Sequence, residues 1–317
     1  MPIVLKLLEN AGIDLEMSLL VEDVGSSFQL GSSLIFQKAL TSVLHSMSES
    51  FSIIDSHCHL DRFYQKGELD VTLNQAKAAG VDRLITVGTS DSDWSLYAKL
   101  REQYEGVIDY TVGLHPCSVD EFWEDQVCQL RPYFELGKGG PVALGEIGLD
   151  YFHLPKDDSR KASLLKDMQT AALRYQLELA KEFDCPVVIH SRGAFDDCIQ
   201  ELDAAKINWG KVVFHCFVEN AEAMRTLNGR GGRGSFTGVI TFKNAEDVRE
   251  AALAQGIEKM MVETDAPYLS PVPHRGKPCF PAYTALTASY CAILLGMDEI
   301  DFENYSRRNT QAFFGLE

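Results

Sequence analysis

Ile53-Ile54-Asp55-Ser56-His57-Cys58-His59-Leu60-Asp61 is an apolar run that ends in two histidines one residue apart, with aspartates on both sides. Side chains on a strand alternate between its two faces, so His57 and His59 point one way and Cys58 the other. Such a strand end is a candidate metal clamp. The fold it belongs to depends on whether the pattern returns downstream, and it does.

From Ser52 onward, short β-rich runs alternate with longer amphipathic segments. The strand candidates are SIID (52–55), RLITV (83–87), DYTVG (109–113), VALGEI (142–147), PVVIH (186–190), KVVFH (211–215), SFTGVITF (235–242) and KMMVET (259–264). Helical stretches between them include DVTLNQAKAAG (70–80), RKASLLKDMQTAALRYQLELAKEF (160–183) and NAEDVREAALAQ (244–255). Eight strands alternating with helices over about 260 residues predict an α/β fold of the (β/α)8 TIM-barrel type, with an N-terminal extension. A doubly wound sheet is the alternative, but no Gly-x-Gly-x-x-Gly follows the first strand. The Gly/Arg-rich run GRGGRG (229–234) precedes a strand instead of opening a helix, and reads as a lengthened turn on the face away from catalysis.

At 317 residues the chain can bury a full core. A hydrophobic fraction of 45% and a charged fraction of 24% are those of an ordinary water-soluble protein. No apolar run is long enough to predict a membrane span. The eight cysteines form no Cys-x-x-Cys pair and predict free thiols in a reducing, cytoplasmic compartment. A net charge of −17 argues against tight non-specific binding to duplex nucleic acid. A phosphate substrate would have to be held locally, by metal and a few basic residues.

Residues 1–50 stand apart as an extension, with 51–317 forming the barrel domain. Two lysines and no arginine face six carboxylates there, which suits neither a transit peptide nor a secretion signal. One reading is an accessory segment. The other is that Met47, in MSESFSIIDSHCHLD, starts the native protein; peptides from residues 1–46 in its mass spectrum would exclude that.

Catalytic residues of a barrel sit at the C-terminal ends of its strands. The first predicted strand leads into His57 and His59, the fourth reaches Glu146, the fifth His190, the sixth His215 and the eighth Asp265. A lone histidine at a strand end is usually structural; six such residues on five strands point to a metal site. Four imidazoles and two carboxylates suit two divalent ions with a shared carboxylate, and these donors fit zinc, manganese or similar cations better than magnesium alone. Paired metals acidify a water and stabilise both oxygens of a displacement at phosphorus.

From about Phe51 to its end the chain resembles the TatD-type metal-dependent deoxyribonucleases, within the amidohydrolase-like metallohydrolases. The resemblance rests on DSHCHLD, GLHP (113–116), GEIGLDY (145–151), VIHSR (188–192), FHCF (214–217), SFTGVITFKNA (235–245), ETDAPYLSP (263–271) and RGKPCFPAY (275–283), in the family's order. It implies that His57, His59, Glu146 and Asp265 hold one ion, and that Glu146 bridges to a second held with His190 and His215. It implies two divalent cofactors (zinc, magnesium or manganese), Asp265 as general base, and His115, Arg192 and, more weakly, Arg275 as phosphate contacts.

The chain departs from the family where Arg-Gly-Lys-x-Asn-Glu-Pro is common. Cys279 and Phe280 replace an amide and a carboxylate, which bears on substrate preference at the rim. Asp61 and Asp150 are expected either to orient ligand histidines or to cap turns. His45, His153 and His274 read as exposed or loop histidines, and Cys58 and Cys216 as packing. The leading expectation is a phosphodiesterase acting on DNA ends or a small phosphodiester. The alternatives keep the metals and cleave an amide, a lactone or a small phosphoester, or keep the metals as an inactive scaffold.

Overall fold

The computed structural model describes residues 52–317. The extension, the Met47 start and His45 lie outside the described residues. Eight strands form one sheet in the order β1 to β8: Ile53–Cys58, Val81–Thr86, Ile108–Val112, Ala143–Asp150, Val187–Arg192, Val212–Phe214, Arg233–Phe236 and Met261–Val262. Every neighbouring pair is parallel. Past β8 the chain returns to β1. The His59 amide donates to the Ala266 carbonyl at 2.8 Å and the Asp265 amide to the His57 carbonyl at 2.9 Å. The result is a nearly closed TIM barrel.

Eleven helices lie between and after the strands: α1 Asp61–Gln65, α2 Leu69–Ala78, α3 Asp91–Gln103, α4 Trp123–Cys128, α5 Arg131–Phe134, α6 Ser159–Glu182, α7 Phe195–Ala205, α8 Ala221–Arg230, α9 Glu246–Gln255, α10 Thr284–Leu295 and α11 Glu299–Phe314. The two-residue period of the strands sorts their apolar side chains into two cores. Ile54, Ile85, Ala143, Val188, Val213 and Met261 fill the barrel interior, where Phe313 and Phe314 of α11 join them. Ile53, Leu84, Leu144, Ile189, Phe214 and Val262 face the helices, with Trp94, Tyr97 and Phe302. Burying each such side chain contributes about 1.5–3 kcal/mol, so neither face of the sheet can turn to water.

The last two predicted strands are shorter than expected. β7 stops at Phe236, and Gly238–Thr241 turns into a 3-10 helix whose start is capped by the Thr237 hydroxyl, which accepts from the Val239 amide. β-branched residues there suggested continued strand, but Gly238 lies so close to the 269–271 loop that a Cβ would meet the Leu269 carbonyl at 2.5 Å. Tertiary packing overrides propensity. β8 likewise ends at Val262, before Asp265. The Gly/Arg-rich run is not a lengthened turn: Gly229 and Arg230 end α8, Arg233 and Gly234 begin β7, and only Gly231, which caps α8 at φ 108°, and Gly232 turn, with Lys259 clamping their carbonyls.

Two strands carry an extra residue at the future site. Asp55 to Cys58 on β1 spans only Leu84 to Thr86 on β2, and Leu144 to Ile147 on β4 spans only Val187 to Ile189 on β5. Such bulges re-aim the side chains they carry, and these hold His57 and Glu146. Close packing fixes the second one: a Cβ on Gly148, at φ 146°, would lie 1.9 Å from the His190 carbonyl oxygen. All eight cysteines are free, and no helix among the described residues is long and apolar enough to cross a membrane.

Candidate metal centre

The barrel brings all six predicted ligand residues to its C-terminal mouth, two to five positions beyond the interior plug of Ile54, Ala143, Val188, Val213 and Met261. His57 ends up in the β1 bulge and His59 just past the strand. Glu146 lies in the β4 bulge, His190 within β5, and His215 directly after β6. Asp265 follows β8 at φ 54°, a left-handed conformation that aspartate tolerates better than most residues.

Glu146 sits at the centre, and its two oxygens face different partners. Oε1 is 2.7 Å from His190 Nδ1, 2.7 Å from His215 Nε2 and 3.3 Å from His115 Nε2. Oε2 is 3.4 Å from His57 Nε2 and 3.9 Å from His59 Nε2. Asp265 Oδ1 completes the second group, 3.3 Å from His59 Nε2 and 3.7 Å from His57 Nε2. One carboxylate therefore joins two clusters of donor atoms.

Hydrogen bonds on the outer sides of the rings decide which nitrogen lone pairs face inward. His59 Nδ1 lies 3.0 Å from the Val87 carbonyl, which can only accept, so the proton sits on Nδ1 and Nε2 is left as a donor atom for a cation. His190 Nε2 meets buried Asp150 at 3.1 Å, and its Nδ1 faces Glu146. His115 is the opposite case. Its Nδ1 accepts the Cys117 amide at 3.0 Å, so its proton lies on Nε2, toward Glu146. The His115 loop is itself held by α6: buried Gln176 pairs with both the amide and the carbonyl of Leu114, and Gln169 joins Pro116 to Asp150.

Sequence reasoning missed Glu263. It is fully buried, with Oε1 accepting from the Cys216 amide at 2.5 Å and the Ser235 hydroxyl at 2.7 Å. Its Oε2 faces His57 Nδ1 at 3.6 Å and His215 Nδ1 at 3.7 Å, and those two rings stack with centroids 4.0 Å apart. Glu263 thus stands behind two imidazoles at once. The available signal was an acidic residue closing an apolar run, two positions before Asp265.

The chemistry of this donor set fits divalent cations. Both ring nitrogens of buried His57, the Nδ1 of His215 and Oε2 of Glu263 have no hydrogen-bond partner. Each orphaned buried polar atom costs about 1–3 kcal/mol; His57 Nε2 is the one that faces Glu146 and Asp265, where a coordinated cation would satisfy it, while the other three face one another. Burial opposes ionisation of Glu146, but His215, His115 and His190 outweigh it and hold the carboxylate well below its usual range. Without a cation, burial disfavours the charged form of His59, yet Asp265 and Glu146 push it up to about 9, so a bound ion would have to take the place of the Nε2 proton. Imidazole and carboxylate donors of this kind suit zinc, manganese and similar ions.

Other predicted residues are placed differently. The exposed Arg192 guanidinium stacks over the Phe152 ring at 4.4 Å, and Arg275 over Phe242 at 4.2 Å; among the described residues, no hydrogen bond joins either to the Glu146 cluster. Asp61 does not orient a ligand histidine. It lies in the first turn of α1, where acidic side chains favour the helix dipole, and accepts from Tyr97 at 3.3 Å. Cys279 and Phe280 are not rim groups open to substrate. Cys279 is fully buried and Phe280 packs between Phe63 and Tyr283, because apolar side chains gain more from the core than from a wet rim. His274 stacks on Tyr283, and half-exposed His153 pairs with Asp150. Cys58 turns away from the site as expected, toward the Ile85 carbonyl.

A parallel eight-stranded barrel with imidazoles and carboxylates at its C-terminal mouth defines a metal-dependent hydrolase of the TIM-barrel class. Residues 54–315 match the family model described as TatD related DNase. An uncharacterized metal-dependent hydrolase of Escherichia coli, YcfH, is 33% identical over 263 residues, covering 80% of this chain and 94% of its own. YabD of Bacillus subtilis, also named an uncharacterized metal-dependent hydrolase, is 30% identical over 264 residues, covering 83% of this chain and 99% of its own. The crystal structure of YjjV, a TatD homologue from Escherichia coli, superposes with a TM-score of 0.76 at 27% identity, over 84% of this chain and 98% of that one. The chain belongs to the TatD-related DNase family.

Proposed function

We propose that the protein is a two-metal phosphodiesterase, a deoxyribonuclease that acts on strand ends. The observation that carries this reading is the division of Glu146, with one oxygen toward His190 and His215 and the other toward His57 and His59. In this reading His57, His59, Glu146 and Asp265 hold one cation, and Glu146, His190 and His215 the other. Bound divalent cations would supply an acidified water and Lewis-acid stabilisation of charge at phosphorus. Asp265 serves as general base at the attacking water. Its side chain is 15% exposed where that of Glu146 is 4%, so it is the carboxylate that substrate and water can reach. His115, with its proton fixed on Nε2, donates to a phosphate oxygen. Arg192 and Arg275 supply positive charge farther out on a molecule whose net charge of −17 disfavours duplex DNA.

The test is to incubate the protein with Mg²⁺ or Mn²⁺ and single-stranded DNA. Shortening of the strand is expected, with losses of about a hundred- to a thousandfold in Glu146→Ala and Asp265→Ala. Full activity in either variant sinks the assignment. A second reading keeps the metals but changes the bond to an amide, a lactone or a small phosphoester. The inward-turned Cys279 and Phe280 favour it, since they remove polar groups from the rim; a panel of such substrates assayed beside DNA separates the two.

A further inference from the structure

Cys117, Asp150 and His153 meet on the rim beside the Glu146 cluster, and the hydrolytic reading uses neither the Cys117 thiol nor the His153 ring. Cys117 Sγ lies 3.5 Å from Asp150 Oδ2 and 3.8 Å from His153 Nδ1, and His153 Nδ1 lies 2.7 Å from Asp150 Oδ2. Asp150 is buried and fixed, with Oδ1 accepting the His153 amide at 2.9 Å and its own amide donating to Gln169. The cysteine and the histidine are exposed.

We propose that these three residues form a separate cation site for zinc-class metals, open to solvent on its outer side. A tetrahedral zinc ion sets sulfur about 3.6 Å from its nitrogen and oxygen partners and sets nitrogen and oxygen about 3.3 Å apart. The two sulfur separations already match. Only the His153–Asp150 pair must open, by about 0.6 Å, and the exposed His153 side chain has room to move. A thiolate, an imidazole and a carboxylate select zinc or cobalt over magnesium and calcium. The fourth position faces water, so the site can take an exogenous ligand. It also connects to the main centre, because Asp150 Oδ2 is 3.1 Å from His190 Nε2. A cation held there competes with His190 for that oxygen.

The inference does not depend on the phosphodiesterase reading, and its test needs no turnover. Titration of the full-length, reduced protein with Co²⁺ is expected to produce a near-ultraviolet thiolate-to-cobalt charge-transfer band. The band should vanish in Cys117→Ser, weaken in His153→Ala, and persist in Cys128→Ala, which removes another exposed thiol. It should also persist in His57→Ala, which damages only the main centre. Zinc bound per chain, measured by elemental analysis, should fall by one equivalent in Cys117→Ser. Undiminished absorption or unchanged zinc content in Cys117→Ser overturns the site, and loss of the band in His57→Ala overturns its independence.

Discussion

Glu263 illustrates how much of a candidate metal centre lies behind its donor atoms. Its carboxylate is anchored by the Cys216 amide and the Ser235 hydroxyl, and it presents its other oxygen to the Nδ1 atoms of His57 and His215. A carboxylate in that position fixes ring orientation and raises imidazole basicity. Glu263→Gln keeps the shape and removes the charge. It is expected to fold normally and to bind divalent metal about 10–100-fold more weakly, read by calorimetric titration with Zn²⁺ or Mn²⁺. Unchanged affinity would mean that Glu263 serves only the fold. His115 makes a related point. The nitrogen holding its proton follows from the Cys117 amide, one residue past the histidine-proline pair.

At the scale of elements, α6 does more than cover the sheet. This 24-residue helix buries Gln169 and Gln176 on its inner face, where an apolar residue would ordinarily pack. Gln176 pairs with Leu114 at both backbone groups, 2.8 Å at the amide and 3.2 Å at the carbonyl, and so sets the loop that carries His115. Gln176→Leu would fill the same volume but orphan both groups. The expected cost is about 2 kcal/mol, which in a domain of this size lowers the melting temperature by about 4–8 °C. Differential scanning calorimetry reads the shift, and a variant as stable as the parent would show that the clamp is dispensable. The β1 and β4 bulges act at the same scale. Each adds one residue to its strand and thereby turns His57 or Glu146 into the mouth.

Across the whole molecule, the Glu146 cluster sits at one end of the barrel and closure at the other, where α11 packs Phe313 and Phe314 against the interior core. The same helix carries Glu303, a buried carboxylate with an unpartnered oxygen. Burial, then Glu299 and Asp298, raise it from 4.5 to about 7. The folded state therefore holds this proton more tightly than the unfolded chain does. The stabilising contribution is complete below the unfolded value and is lost as pH rises through about 7. Glu303→Gln should be more stable than the parent at pH 8, with the gap closing toward pH 5. Denaturant midpoints of both proteins at the two pH values check this; a gap independent of pH would contradict it.

The linear chain by itself determined the barrel and the residue types that gather at its mouth. Apolar runs of strand length recur at barrel spacing, and a metal-binding residue type follows five of them, so His57, His59, Glu146, His190, His215 and Asp265 were legible one strand at a time. Strand ends were less so. Gly238 is held by the 269–271 loop and Asp265 by the His57 carbonyl on β1, and a local propensity carries no record of either contact. Only tertiary structure decided how the donors are shared. Nothing in the order of residues says that the two oxygens of Glu146 face different histidines, that Glu263 stands behind two rings, or that Cys117 meets His153. Those pairings join residues dozens or hundreds of positions apart. They exist because a closed parallel sheet turns every strand's C-terminal end toward one mouth.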